Sequence, residues 1–215
     1  LQKKDRFETF PAFSPDGRTL YFCSAEAKKI PEEYKEIRYN LCSIDFDPSA
    51  GTFGSRIDTL VNAEALGKSV SFPRPSYDGK YIMFTLSDYG NFSIWHKEAD
   101  LWLLDLTSGD LRKLSEVNSD DTESFHNWSS NSRWFVFSSR RGDGLYTRLY
   151  LASMDENGKI SKPFLLPQED PETYYDRSVY SYNVPDFTSE PIKIDTRVFE
   201  KKITSKERIQ VQAKK

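Results

Sequence analysis

The feature that most constrains this chain is a segment that occurs three times. It reads FPAFSPDG at residues 10–17, FPRPSYDG at residues 72–79 and FHNWSSNS at residues 125–132. The anchor serines Ser14, Ser76 and Ser129 lie 62 and 53 residues apart. A period of this size is typical of a chain built from supersecondary units, none of which can bury its apolar face alone.

Each repeat predicts four antiparallel strands. The first strand carries the repeated segment and ends in a tight turn, which Asp-Gly favours because glycine accepts a positive φ at no steric cost. The second unit departs from the Ser-Pro-Asp-Gly pattern at Tyr77 and the third at Ser130-Asn131-Ser132, so we expect looser turns in both. The second strands are predicted at 19–24, 81–86 and 134–139, the third at 39–44, 100–105 and 148–153, and the fourth at 57–60, 111–114 and 162–166. Four strands per unit of about 50 residues predict an all-β chain of β-propeller blades.

We predict a propeller part over residues 1–187, with blades near 7–66, 67–119 and 120–170 and a partial fourth at 171–187. Tyr174 to Phe187 is predicted as the opening strand of that fourth blade, or as a strand closing on another blade. The charged stretch 188–215 is predicted as an extension, either an edge strand or hairpin using alternating segments such as Ile192 to Ile194 and Arg208 to Gln212, or an extended arm.

Composition excludes some partners and leaves others open. The 215 residues are 37% hydrophobic and 29% charged with a net charge of −3, and aromatic residues reach 14%, which suits pleated surfaces. We find no basic stripe typical of nucleic-acid binding and no apolar run near the roughly 18 residues that a membrane span needs. The chain starts at Leu1 without a signal-like stretch, so we expect a fragment or a processed chain.

The cysteines Cys23 and Cys42 fall in predicted strands of one unit. They could form a cross-strand disulfide in an oxidising compartment, or be two buried small hydrophobic residues.

Residues 13–22 and 100–109 resemble the TolB-like, or WD40-like (PD40), β-propeller family, and the resemblance covers roughly residues 7–187. The stretch from Trp128 through Arg141 to Pro167 is similar to envelope-associated propeller proteins of Bacteroidetes-type bacteria. The resemblance implies six or seven blades, so we expect further blades of the same protein, or a second chain, to cover the open faces. It also implies a periplasmic or cell-envelope location and a protein partner.

The loops between second and third strands vary most, and variable loops on a rigid scaffold are where binding usually occurs. The loop from Asp88 to Glu98, with its aromatic side chains, could stack on a sugar or bind a peptide, or simply pack over its blade. The loop from Arg140 to Tyr146 could bind a carboxylate or phosphate through its two arginines, or these arginines could pair with nearby acids. His126 aligns with Pro11 and Pro73 near the innermost strands, where it could bind a ligand or metal or be a structural histidine. The candidate binding residues are therefore Tyr89, Phe92, Trp95, His96, His126, Arg140, Arg141 and Tyr146.

The sequence holds no convincing catalytic signature, since no Gly-x-Ser-x-Gly elbow occurs and only two histidines are present. The acids Asp78, Asp88, Asp100, Asp120, Asp121 and Glu123 lack the spacing of a calcium loop, so we predict no metal and no cofactor. We predict a non-enzymatic binding or scaffolding propeller of the bacterial envelope. The alternative is the propeller part of a larger hydrolase or carbohydrate-active enzyme whose catalytic residues lie mostly outside this chain. A weaker alternative is a subunit of an envelope complex that docks through the stretch after Ser189.

Overall fold

The computed structural model describes residues 4–90 and 92–208, and it contains three four-stranded antiparallel sheets. In each sheet the strands lie side by side in chain order, as in a propeller blade. Blade 1 consists of β1 (Arg6–Phe13), β2 (Thr19–Glu26), β3 (Asn40–Asp47) and β4 (Thr52–Val61); blade 2 of β5 (Ser69–Pro75), β6 (Tyr81–Ser87), β7 (Asp100–Asp105) and β8 (Leu111–Lys113); blade 3 of β9 (Glu123–Trp128), β10 (Trp134–Ser139), β11 (Arg148–Ser153) and β12 (Phe164–Leu165).

The turn between the first two strands is built the same way in all three blades. The anchor serine hydroxyl accepts the backbone N–H of the residue five positions later, at 2.9–3.0 Å. It donates to the side chain two positions later, at 2.6–2.7 Å. Asp16 and Asp78 accept this second bond in blades 1 and 2, and Asn131 accepts it in blade 3. The looser second and third turns that we predicted are wrong, because Ser76 bonds to Asp78 at 2.6 Å as Ser14 does to Asp16, and the Asn131 amide oxygen replaces the carboxylate at 2.7 Å.

Each innermost strand carries a bulge at the phenylalanine of the repeated segment. Phe10, Phe72 and Phe125 have φ angles of 53°, 53° and 47°, and the strand pairing breaks register at each of them. Their rings pack in series, with centroids 4.3 Å apart between Phe10 and Phe72 and 4.7 Å apart between Phe72 and Phe125. The bulge also explains why Pro11 and Pro73 are tolerated in these strands, since a bulged residue donates no ladder hydrogen bond.

The blades pack face to face through the alternation of side chains along their strands. Tyr21 of β2 packs with Ile82 of β6 in a core between blades 1 and 2. Met83, the next residue of β6, points the other way and packs with Phe135 of β10 in a core between blades 2 and 3. Because neighbouring strand residues face opposite sides of a sheet, blade 2 is covered on both faces. This arrangement confirms the β-propeller prediction.

Blade 1 has a second apolar face, turned away from blade 2. Leu20 and Ile44 belong to a separate cluster there, and Phe13 and Phe53 beside them are 48% and 45% exposed. We predicted from the sequence that another blade or a second chain covers such a face, and this stays a prediction.

The two cysteines lie on opposite faces of blade 1. Cys23 is paired in register with Leu41 and packs in the core facing blade 2, whereas Cys42 is paired with Phe22 and packs in the cluster on the other face. Both are free and buried, and burial raises the pKa of each thiol. Of our two alternatives, the structure therefore has two buried small hydrophobic residues.

The segment after blade 3 is not the strand that we predicted for Tyr174 to Phe187. It forms the helix α1 (Pro171–Arg177), with Asp170 as its N-cap, followed by irregular chain. One hydrogen bond typical of the start of a blade is still present there: Tyr182 donates its backbone N–H to the Thr147 carbonyl at 3.2 Å. Val70 and Glu123 make the equivalent bonds at the starts of β5 and β9.

The charged extension contains a second helix, α2 (Thr196–Thr204), in place of an edge strand or a fully extended arm. The alternating segment predicted up to Gln212 lies outside the described residues beyond Arg208. Within the described residues, neither helix is long and apolar enough to cross a bilayer. The limits of the predicted domains stay predictions.

Candidate functional site

Two of the variable loops meet on one face of the molecule. The loop at 88–98 connects β6 to β7 and carries a 3₁₀ turn at Ser93–Trp95, and the loop at 140–147 connects β10 to β11. The Arg140 guanidinium lies over the Trp95 ring, 4.3 Å from its centroid. This cation–π contact joins loops from two neighbouring blades into one surface.

Thr122, which is fully buried, forms hydrogen bonds to both loops and so fixes the contact between them. Its carbonyl accepts the Arg140 backbone N–H at 3.3 Å, and its hydroxyl donates to the Ser93 carbonyl at 3.0 Å. The Ser93 hydroxyl is in turn 3.2 Å from that of Ser124 on β9. Hydrogen bonds from one residue therefore set the position of Trp95 relative to Arg140.

The loop at 88–98 presents two large aromatic side chains to solvent. Phe92 is 81% exposed and Trp95 is 67% exposed. Phe92 has a φ of 51°, in the left-handed region that bulky residues rarely adopt. We name Phe92, Trp95 and Arg140 the aromatic–arginine patch.

Tyr89 and His96 pack inside the same loop. Their ring centroids are 4.1 Å apart, and the Tyr89 ring also meets the Tyr34 ring edge-on at 5.7 Å. His96 is buried, with Nδ1 3.1 Å from a Glu98 carboxylate oxygen. These contacts stabilise the loop that projects Phe92 and Trp95.

Arg141 points away from Arg140 and supports the blade. Its guanidinium pairs with Glu123 at 2.8 Å, donates to the Ser139 hydroxyl at 3.0 Å and lies 4.6 Å from the Tyr150 ring centroid. Glu123 is fully buried, and burial raises the pKa of its carboxyl group. Of the two alternatives for this arginine, the geometry matches pairing with a nearby acid.

Tyr146 lies at the end of the same loop, where the Arg148 guanidinium is 5.3 Å from its ring centroid. Arg148 also donates to the backbone carbonyls of Ser178 and Tyr180, at 2.8 and 2.6 Å. Tyr146 therefore adjoins the region where the chain after α1 returns to blade 3.

His126 lies apart from these loops, between blades 2 and 3. Its ring is 2% exposed, and Nε2 donates to the Met83 carbonyl at 2.9 Å. Burial lowers the pKa of His126 to about 3, so the imidazole is neutral. The structure does not bring His126 together with the other candidate residues, and no ligand reaches the ring in this arrangement.

A cavity of about 350 Å³ lies at the C-terminal ends of the innermost strands β1, β5 and β9. Our sequence reasoning missed it. Ala12, Arg74 and Asn127 line it from equivalent positions, two residues after each bulged phenylalanine, and Asp186 joins them. Alignment of the repeats could have identified the first three, whereas Asp186 follows no strand pattern. Among the described residues, no three His, Cys, Asp or Glu side chains group as metal ligands do.

No protein-family profile matches the chain, and no curated protein sequence matches it significantly. Solved structures do match. A puromycin-hydrolysing peptidase from Mycobacterium tuberculosis is 16% identical with a TM-score of 0.52, over 76% of this chain and 24% of the peptidase. A putative TolB from Agrobacterium tumefaciens is 20% identical with a TM-score of 0.49, over 76% of this chain and 50% of that one.

TolB from Acinetobacter baumannii is 21% identical with a TM-score of 0.46, over 75% of this chain and 33% of that one. The chain thus spans between a third and a half of the length of the TolB structures. At these identities the likeness concerns the fold. In fold the chain is a set of β-propeller blades, and it resembles TolB and other β-propeller proteins.

Proposed function

We propose that this chain is a non-enzymatic binding module that engages a protein partner through the aromatic–arginine patch. The observation that carries the proposal is the stacking of Arg140 on Trp95, which unites loops of two blades while Trp95 and Phe92 stay mostly exposed. Tryptophan and arginine dominate binding energy in protein interfaces because they offer large apolar area together with directed hydrogen bonds.

The environment of the two histidines also favours binding over catalysis. A general base must reach the proton that it removes, within about 3.2 Å or through one water. His126 is sealed between blades and bonded to Met83, and His96 is buried against Tyr89 and Glu98. Neither ring is presented to a substrate on the loop face.

The resemblance to TolB-like propellers supports a scaffolding role in the bacterial envelope and a periplasmic location, which we include in the proposal. The alternative remains a propeller that forms part of a larger hydrolase or carbohydrate-active enzyme. The peptidase from M. tuberculosis, of which this chain spans 24%, shows that such blades occur within a peptidase. The two functions differ in where the chemistry lies, since the alternative needs catalytic residues outside this chain.

A selection of random peptides displayed on phage tests the patch even when its natural partner has not been identified. Peptides selected on the unchanged chain are expected to lose about 30-fold in affinity for Trp95→Ala, since a hot-spot residue contributes about 2 kcal/mol or more. Trp134→Ala is the matched control, because Trp134 is 41% exposed at the start of β10, outside the patch. Peptides that bind Trp95→Ala and the unchanged chain equally would overturn the proposed function.

A further inference from the structure

Arg140 differs from Arg141, the other arginine of its loop, in having no hydrogen-bond acceptor among the described residues. Its side chain makes no hydrogen bond and no ion pair with any residue in the described ranges 4–90 and 92–208, although the residue is only 9% exposed. Its Nε is buried without a partner. A guanidinium has five N–H donors, and burying them without acceptors is unfavourable.

The nearby acids are already engaged elsewhere. Glu123 is held by Arg141 and by the Ser119 and Ser139 hydroxyls, at 2.8, 2.6 and 2.9 Å. Asp143 accepts the backbone N–H groups of Leu145 and Tyr146 through Oδ1, both at 2.8 Å, and its Oδ2 lies 3.9 Å from the Arg148 guanidinium. The charge of Arg140 also acts on Asp143 at longer range, but among the described residues no carboxylate comes within ion-pair distance of the Arg140 guanidinium.

The geometry around Arg140 is rigid enough to keep this guanidinium in place. Its backbone N–H is bonded to the Thr122 carbonyl, and its carbonyl accepts the Gly144 N–H at 2.8 Å. The Trp95 ring lies against the guanidinium, and of its three nitrogens only Nε is buried without a partner, so Nη1 and Nη2 can act as donors. A preorganised fork of this kind suits a planar carboxylate, which it can bind through two parallel hydrogen bonds.

We propose that Arg140 and Trp95 form a receptor for the C-terminal carboxylate of a peptide, with Phe92 and Trp95 contacting the apolar side chain beside it. This inference rests on the proposed function and names the chemistry that the patch recognises. A single charge matches a single uncommitted guanidinium, whereas a phosphate dianion would call for a second cation, and Arg141 and Arg148 are both occupied. The open exposure of Phe92 and Trp95 suits an extended chain better than a small acid, which binds where most of its surface is enclosed.

The test uses a hexapeptide ending in phenylalanine, with a free C-terminal carboxylate or with a C-terminal amide, titrated calorimetrically into the 215-residue chain. The free acid is expected to bind at least about tenfold more tightly than the amide. In Arg140→Met, which keeps an unbranched stem against Trp95, this ratio is expected to fall to about one. Arg133→Met is the control, since Arg133 is exposed in the blade 3 turn and should leave the ratio unchanged.

A merely structural role for Arg140 predicts a different pattern. If the guanidinium supported the fold, Arg140→Met would lower the melting temperature. Because it has no acceptor among the described residues, we expect the melting temperature to stay the same or to rise. A clear drop would overturn the inference.

Three further results would also overturn it: equal binding of acid and amide to the unchanged chain, displacement of the peptide by inorganic phosphate at lower concentration than by acetate, and binding of 3-phenylpropionate as tight as that of the peptide. Each is distinguishable from failure of the proposed function. Suppose that the selected peptides bind Trp95→Ala more weakly but bind Arg140→Met as tightly as the unchanged chain. That result would support the proposed function and overturn the carboxylate receptor.

Discussion

At the scale of single residues, His126 shows how one position of a repeat can take on a new property. Blades 1 and 2 carry Pro11 and Pro73 there, whereas blade 3 places an imidazole between two packed sheets. Its hydrogen bond to the Met83 carbonyl joins blade 3 to blade 2. Unlike the prolines, this side chain can be protonated, so the interface between blades 2 and 3 acquires a dependence on pH.

His126 is expected to make the folded chain sensitive to acid. Its pKa is about 3 when folded and near 6.5 when unfolded, so the unfolded state binds more protons as the pH falls through this window. Stability from the neutral imidazole is present above pH 6.5 and is lost towards pH 3. From about pH 8 to about pH 5 the loss should be about 2 kcal/mol, measured by urea unfolding.

His126→Gln is the matched variant, because its amide nitrogen can still donate to Met83 and does not titrate. It should lose about 2 kcal/mol less than the unchanged chain over the same pH interval. Identical pH profiles for the two proteins would contradict the buried neutral imidazole.

At the scale of elements, the serine turn is the unit that the three blades share most closely. Ser129 accepts the Trp134 N–H at 3.0 Å and donates to Asn131 at 2.7 Å, so one hydroxyl closes the hairpin between β9 and β10. Ser129→Ala removes both bonds and should lower the free energy of unfolding by about 1–2 kcal/mol. Ser130, its exposed neighbour in the turn, is the control, and Ser130→Ala should change stability by less than about 0.5 kcal/mol. Equal effects in chemical denaturation would show that the hydroxyl bonds do not stabilise the turn.

At the scale of the whole molecule, each of the two cores between blades joins neighbours in chain order. The cores lie between blades 1 and 2 and between blades 2 and 3, so stability should behave as a sum of units and interfaces. The aromatic–arginine patch lies across the second of these interfaces, because Trp95 belongs to blade 2 and Arg140 to blade 3. Binding at the patch is therefore expected to stabilise blade 3 against blade 2.

Phe135→Ala tests this nearest-neighbour organisation. Phe135 is fully buried between blades 2 and 3, and its truncation should cost about 3–5 kcal/mol. Amide hydrogen exchange is expected to speed up more in β9–β11 than in β1–β3, because blade 1 does not touch this core. Phe164→Ala, at a 42% exposed phenylalanine of the same blade, should leave exchange nearly unchanged. Uniform acceleration across all three blades would indicate a single cooperative unit instead.

The sequence by itself determined the blades. Strand pairing and the serine turns depend on residues close together in the chain, and the repeat shows each of them three times. It also identified the loops that carry Trp95 and Arg140, since they interrupt the repeat. The helix α1 was missed because the tyrosines in Tyr174 to Tyr182 suit a strand as well as a helix that packs on blade 3.

Only the tertiary structure decided which loop residues share a surface. Arg140 and Arg141 are adjacent and chemically identical, yet one is bonded to Glu123 and the other is stacked on Trp95, 45 positions earlier in the chain. Likewise, the structure placed the two cysteines on opposite faces and sealed His126 between blades. These outcomes depend on how whole sheets stack, because contacts between distant residues arise from the burial of apolar faces and not from the local pattern that forms each strand.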